Sequence, residues 1–91
     1  MFLHLGNDYI VFNKDIIAVL DFETTTVSKI TREFLKISEE EGFIINVSDD
    51  VPKSFIVTET DGQSKIYISN IASSTLLKRM ENNMLKGEGY E

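Results

Sequence analysis

Residues 52–79 constrain the fold more than any other part of the chain, because they can be written as a β-hairpin running into a capped helix. Asp61-Gly62 suits the two-residue turn that needs positive φ at both central positions. Counting outward from it pairs Phe55 with Ile68, Val57 with Ile66, Ile56 with Tyr67 and Thr58 with Lys65. One face of this hairpin is then wholly apolar, and the other carries the single apolar pair Ile56/Tyr67 beside a polar pair. A small sheet needs only one apolar face to form a core, so the second apolar pair asks for further cover, most economically another subunit. Ile56 and Tyr67 are therefore expected at an oligomer interface.

The flanking segments supply the rest of an α+β domain. Residues 2–5 form a short apolar strand, Gly6-Asn7-Asp8 has turn chemistry, and residues 9–12 are rich in strand formers, so the two strands are expected to pair. The continuous apolar run 16–22 suggests a central strand covered on both sides. Glu23-Thr24-Thr25-Thr26 offers hydroxyl caps, and Val27, Ile30, Phe34 and Ile37 recur at three- and four-residue steps, the pattern of an amphipathic helix. Gly42 suits its C-terminal end, and residues 43–47 return to a strand. Pro52 closes a loop over 48–52. After the hairpin, Ser73 or Ser74 caps a second helix with Leu76, Leu77, Met80 and Met84 on its apolar stripe, and Lys78, Arg79, Glu81 and Asn82 facing outward. The expectation is a small, mostly antiparallel sheet with two helices, a single domain over 1–85 and a fraying tail over 86–91.

Several kinds of chemistry are excluded or unsupported. The chain has no cysteine, which removes disulfides, thiolate metal sites and cysteine nucleophiles together. The lone His4 sits in a short strand beside a turn, where a satisfied or surface imidazole is expected in place of a general base. The five glycines are scattered and compose no phosphate-wrapping loop. Asp49-Asp50 and Glu39-Glu40-Glu41 read as solvated carboxylates, and Ser73-Ser74-Thr75 as cap residues without a base or an oxyanion motif. No catalytic residue, metal or cofactor is therefore expected, and the chain is not read as an enzyme. No apolar run approaches membrane-spanning length and no leader pattern opens the chain, so a cytoplasmic protein that does not enter the membrane is expected. Nine Lys and Arg against fifteen Asp and Glu give a net charge of −6, which argues against coating nucleic acid by bulk electrostatics and leaves a local basic face open.

The opening segment 2–22 and residues 52–79 together resemble the small bacterial extracellular-matrix regulatory proteins, RemA- and RemB-like, with the RemB-like branch nearest. The likeness is carried by His-Leu-Gly near the start, Ile-Ile-Ala-Val-Leu-Asp-Phe, Pro-Lys-Ser-Phe-Ile-Val-Thr and Ser-Ser-Thr-Leu-Leu-Lys-Arg, and spans roughly residues 1–80. The resemblance implies a compact α+β subunit that assembles as a ring-like homo-oligomer and binds duplex DNA to regulate transcription, notably of biofilm-matrix genes. The RemA-like branch places arginines in the loop before its third strand and in the loop before the hairpin. Here Lys14 occupies the first position, and the second reads Asp49-Asp50-Val51-Pro52-Lys53. Lysine offers a phosphate a point charge without the bidentate fork of arginine. Lys14 and Lys53 are thus the expected DNA contacts if both reach one rim of a ring, with Lys78 and Arg79 as secondary candidates. The alternative is an oligomeric protein-interaction module that does not bind nucleic acid, consistent with the acidic total and with Asp49-Asp50 beside Lys53.

Overall fold

The computed structural model describes residues 1–83. In chain order they form β1 (Phe2–Gly6), β2 (Tyr9–Phe12), a 3-10 turn (Asn13–Asp15), β3 (Ile16–Asp21), α1 (Phe22–Thr25), α2 (Lys29–Glu40), β4 (Ile44–Asn46), β5 (Ser54–Thr60), β6 (Gln63–Ser69) and α3 (Ser73–Asn83). Met84 and the tail expected over 86–91 lie outside the described residues. The hairpin β5–β6 has the predicted register, with Phe55↔Ile68, Ile56↔Tyr67, Val57↔Ile66 and Thr58↔Lys65. Asp61 and Gly62 both take positive φ, 51° and 80°, so the turn twists with the strands it joins. β1 and β2 pair antiparallel as a separate two-stranded sheet, with an irregularity between His4 and Gly6.

The main sheet runs in the order β3-β5-β6-β4, antiparallel except for the parallel pairing of β4 with β6. The run 16–22 is thus an edge strand, not the expected central one. Its continuous apolar character follows from partial cover on both faces: Ala18, Val19 and Leu20 are half-buried while Ile17 is exposed at the bulge opposite β5.

Both faces of this sheet are covered by the same chain. Leu3, Leu5 and Val11 from the β1–β2 hairpin pack with Val47, Ile56 and Leu76 in one buried cluster, against which Val19, Tyr67, Ile71 and Met80 are partly buried. Ser69 fixes the layer: its hydroxyl, fully buried, donates to Leu5 O at 2.7 Å and accepts from Ile71 N at 3.0 Å. Ser54 Oγ similarly donates to Ile71 O at 2.7 Å, seating the start of α3. Ile56 is 0% exposed and is not available to another subunit. The apolar surplus on the second hairpin face is real, but the N-terminal hairpin and α3 cover it. Tyr67 is half-buried with its ring edge-on to Tyr9 at 6.4 Å. Burial of the phenol, with smaller contributions from Tyr9 and Asp15, raises its pKa above the ordinary 10.0.

The opposite face, bearing Phe55 and Ile66, lies beneath α1 and α2. Asp21 caps α1, accepting from Thr24 N at 2.8 Å and Thr24 Oγ1 at 2.6 Å, and Phe22 meets Phe55 edge-on at 6.2 Å. The helix expected as one unit from the threonines onward is broken. Thr25 Oγ1 donates to Asp21 O, Thr26 Oγ1 donates to Phe22 O at 2.5 Å, and the chain restarts at Lys29. Back-bonding of this kind gives hydroxyl side chains an alternative to helix propagation. The described chain accordingly has three α-helices where two were expected.

Candidate nucleic-acid interface

The antiparallel β3–β5 ladder decides where the expected cations fall. Lys14 sits in the 3-10 turn at the Ile16↔Thr58 end, whereas Lys53 precedes Ser54, which pairs with Asp21 at the other end. At ~3.3 Å per strand residue the two lysines are separated by roughly 15–20 Å along the sheet. One subunit therefore does not bring Lys14 and Lys53 together. Lys14 is exposed, with its ammonium 5.6 Å from the centre of the Phe12 ring, and the neighbouring Asp15 accepts from Thr60 Oγ1 at 3.0 Å.

Lys53 is exposed, and its backbone is tied on both sides: its N–H donates to Ser69 O at 2.9 Å and its carbonyl accepts from Phe22 N at 3.0 Å. It shares a shallow depression with Asp21, Glu23, Pro52 and Ala72. Asp50 lies in the preceding loop, where its N–H donates to Ser48 Oγ at 3.0 Å and its carboxylate accepts from Asn70 Nδ2 at 3.3 Å. The Asp21 carboxyl is held below its ordinary 3.8, chiefly by the Thr24 hydroxyl and then by the Thr24 amide, so it is ionised at neutral pH beside Lys53. The lysine thus stands among carboxylates.

Lys78 and Arg79 are exposed on α3, as the helical pattern predicts. Arg79 Nη1 donates to His4 O at 3.1 Å, which orients the guanidinium across the N-terminal hairpin, and His4 Nε2 donates to Asn7 O at 2.6 Å. The start of α3 is bound to Ser54, next to Lys53, and Arg79 lies about 9 Å further along the helix axis. Lys53 thus lies near the start of α3, whereas the Arg79 guanidinium reaches back to the N-terminal hairpin at His4.

Two surface features gain their orientation only from the structure. Lys29, Arg32 and Lys36 recur at three- and four-residue steps on α2 and are all exposed, a stripe visible from spacing alone. Arg32 Nη1 donates to Thr26 O and Val27 O at 2.8 Å each, so this cation also clamps the break between α1 and α2. The second feature is apolar. Val27, Ile30, Phe34 and Ile37, the stripe that periodicity picks out, are 77%, 80%, 45% and 58% exposed, while Thr31, Leu35 and Ser38 are more deeply buried. The outward face of the β1–β2 hairpin likewise shows Phe2, Ile10 and Phe12 to solvent, with the Phe2 and Phe12 rings 4.7 Å apart. Its signal was the apolar character of residues 2–5 and 9–12 in both strand phases. Among the described residues no cluster of three or more His, Asp or Glu is placed to hold a metal ion, and no helix is long and apolar enough to cross a membrane.

Comparison with known proteins agrees with these elements. The family model described as RemA-like, extracellular matrix regulatory protein A-like, matches residues 2–80. A relative from Bacillus subtilis (strain 168), extracellular matrix regulatory protein B, is 37% identical over 81 residues, covering 89% of this chain and 91% of the relative.

Proposed function

The chain belongs to the extracellular matrix regulatory protein A-like family, and on that premise we propose that it is a DNA-binding transcriptional regulator of the biofilm-matrix type acting as a ring-like homo-oligomer. The match over nearly all of the chain carries the reading. In a symmetric assembly each cation recurs once per subunit, so a few weak phosphate contacts add up along a bound duplex. Lys53, Lys78 and Arg79 are proposed as contacts because all three are exposed. Lys14 is a fourth candidate, reaching the duplex from the other end of the ladder. Lysine at positions 14, 53 and 78 favours backbone contact over recognition of base edges.

A titration of labelled duplex at low salt tests this, comparing wild type with a Lys53→Glu, Lys78→Glu double variant. Wild type is expected to bind with a steep salt dependence, and the double variant to bind more weakly with a shallower slope, by about 0.9 for each phosphate that is no longer neutralised. Equal binding by the two proteins would remove these contacts from the interface. The second reading, an oligomeric interaction module without nucleic acid, is favoured by the carboxylates of Asp21 and Glu23 around Lys53. It predicts no retention of wild type on duplex even at low salt.

A further inference from the structure

We infer that the cleft between α1, α2 and the main sheet is a binding site for a small organic anion with an apolar body, a medium-chain or aromatic carboxylate. The cleft is about 400 Å³ in volume, within the usual range of small-molecule sites. Its apolar lining comes from four elements: Phe22 of α1, Leu35 of α2, Ile44 of β4 and Ile68 of β6, all half-buried. The break between the helices makes the cleft. Because α1 ends at Thr25 and α2 restarts at Lys29, Phe22 and Leu35 reach it from separate helices.

The rest of the lining is polar, from Thr26, Arg32, Lys36 and Glu39. Thr26 Oγ1 is committed to Phe22 O, which leaves the charged side chains to meet a ligand. Arg32 and Lys36 stand one helical turn apart, both exposed, and among the described residues neither is in an ion pair. Arg32 is oriented before any ligand arrives. Its Nη1 donates to Thr26 O and Val27 O at 2.8 Å each, so Nε and Nη2 are left to donate to an incoming anion. A carboxylate matches that planar fork with two parallel hydrogen bonds. Two cations against the single carboxylate of Glu39 leave the lip with one net positive charge, suited to a monoanion. Glu39 is seven residues from Arg32, about 10 Å along the helix axis, so the anionic group belongs at the Arg32 end.

A second groove, on the other flank of α2, isolates what the cations add. It measures about 300 Å³ and is lined by Phe34, Ile37, Phe43, Val57 and Ile66, and among the described residues no charged side chain lines it. Apolar burial alone selects neither groove, because both offer hydrocarbon walls of similar extent. A carboxylate separates them.

Octanoate and 1-octanol, equal in chain length and different in charge, are the probes, titrated into the full-length protein. Methyl resonances of Leu35, Ile44 and Ile68 report on the cleft, and those of Ile37, Val57 and Ile66 on the second groove. Octanoate is expected to shift the cleft set with a Kd on the order of 1 mM and to leave the second set in place. Arg32→Gln should weaken octanoate about tenfold, the low end for a hydrogen-bonded charge because the group is exposed, and leave 1-octanol within about twofold. Lys36→Glu should also weaken octanoate and not 1-octanol; it leaves the Arg32 clamp intact, so it reads the charge even where Arg32→Gln loosens the helix break. Octanoate that shifts the second groove in place of the cleft, that moves no methyl at about 10 mM, or that the variants bind as well as wild type would overturn the assignment. Equal weakening of both probes would overturn it too. None of these outcomes bears on duplex binding, so the proposed function is judged separately by the low-salt titration.

Discussion

Replacing Ile56 with alanine tests what covers the second face of the central hairpin. Ile56 lies on β5 between β3 and β6, is 0% exposed, and belongs to the buried cluster with Leu3, Leu5, Val11, Val47 and Leu76. Truncation removes three carbons, worth about 2.4 kcal/mol at ~0.8 kcal/mol per buried methylene. The neighbours come from three separate elements and close the space only in part, so a cavity contribution raises the expected loss to about 3–4 kcal/mol. A 91-residue chain has a total stability of roughly 5–13 kcal/mol, so the variant is strongly destabilised but can still fold. At about 4–8 °C per kcal/mol its melting temperature falls by roughly 12–32 °C. The chain has no tryptophan, so urea unfolding followed by far-ultraviolet circular dichroism is the suitable assay. The difference between variant and wild type should be the same at low and high protein concentration, because the cavity lies inside one subunit. A loss below about 1 kcal/mol, or one that changes on dilution, would put Ile56 at a subunit contact and refute the reasoning.

Three further outcomes follow from particular contacts. Ser69→Ala leaves Leu5 O and Ile71 N without their buried partner, and a loss of about 1–3 kcal/mol in urea unfolding is expected; an unaltered midpoint would mean that Ser69 does not fasten the N-terminal hairpin to the sheet. Gly6→Ala meets both a positive φ of 120° and close approaches of 3.2 Å to Val47 Cγ1 and 3.3 Å to Asn70 Oδ1, whereas Gly62→Ala at φ 80° meets open space. Gly6→Ala should therefore be the more destabilising, by about 1–3 kcal/mol, and equal melting temperatures for the two variants would contradict the packing described. The lowered pKa of Asp21 means that its cap on α1 contributes fully above the unfolded value near 3.8 and is lost as pH falls through the lower folded value. The Thr24 amide resonance should titrate with a midpoint below 3.8, and a midpoint at or above that value would show the cap to be absent in solution.

Local pattern was sufficient where neighbours in sequence are neighbours in space. The Asp61-Gly62 turn, the register it imposes on β5 and β6, the N-terminal hairpin and the outward position of Lys78 and Arg79 all follow from periods of two or 3.6 residues and from turn chemistry. The α1–α2 break lay at the margin of legibility, since Thr24, Thr25 and Thr26 advertise caps but do not say which hydroxyl will end one helix before the next begins. Periodicity also found the apolar stripe of α2 but gave no direction for it. Leu35 and Ser38, one position further along each turn, are the more deeply buried, while Phe34 and Ile37 line the edge of a groove that Val57 and Ile66 of the sheet also line.

The sequence by itself determined the α+β class, the central hairpin and its register, the family, and the excess of apolar surface over what a small sheet can hide. Tertiary structure decided where that excess goes. Residues 2–12 fold back over Ile56 across more than forty residues of chain, and no local period reports which face a distant element will choose. The same long-range pairing places Lys14 and Lys53 at opposite ends of one ladder, because an antiparallel strand reverses direction and carries the residues before each strand apart.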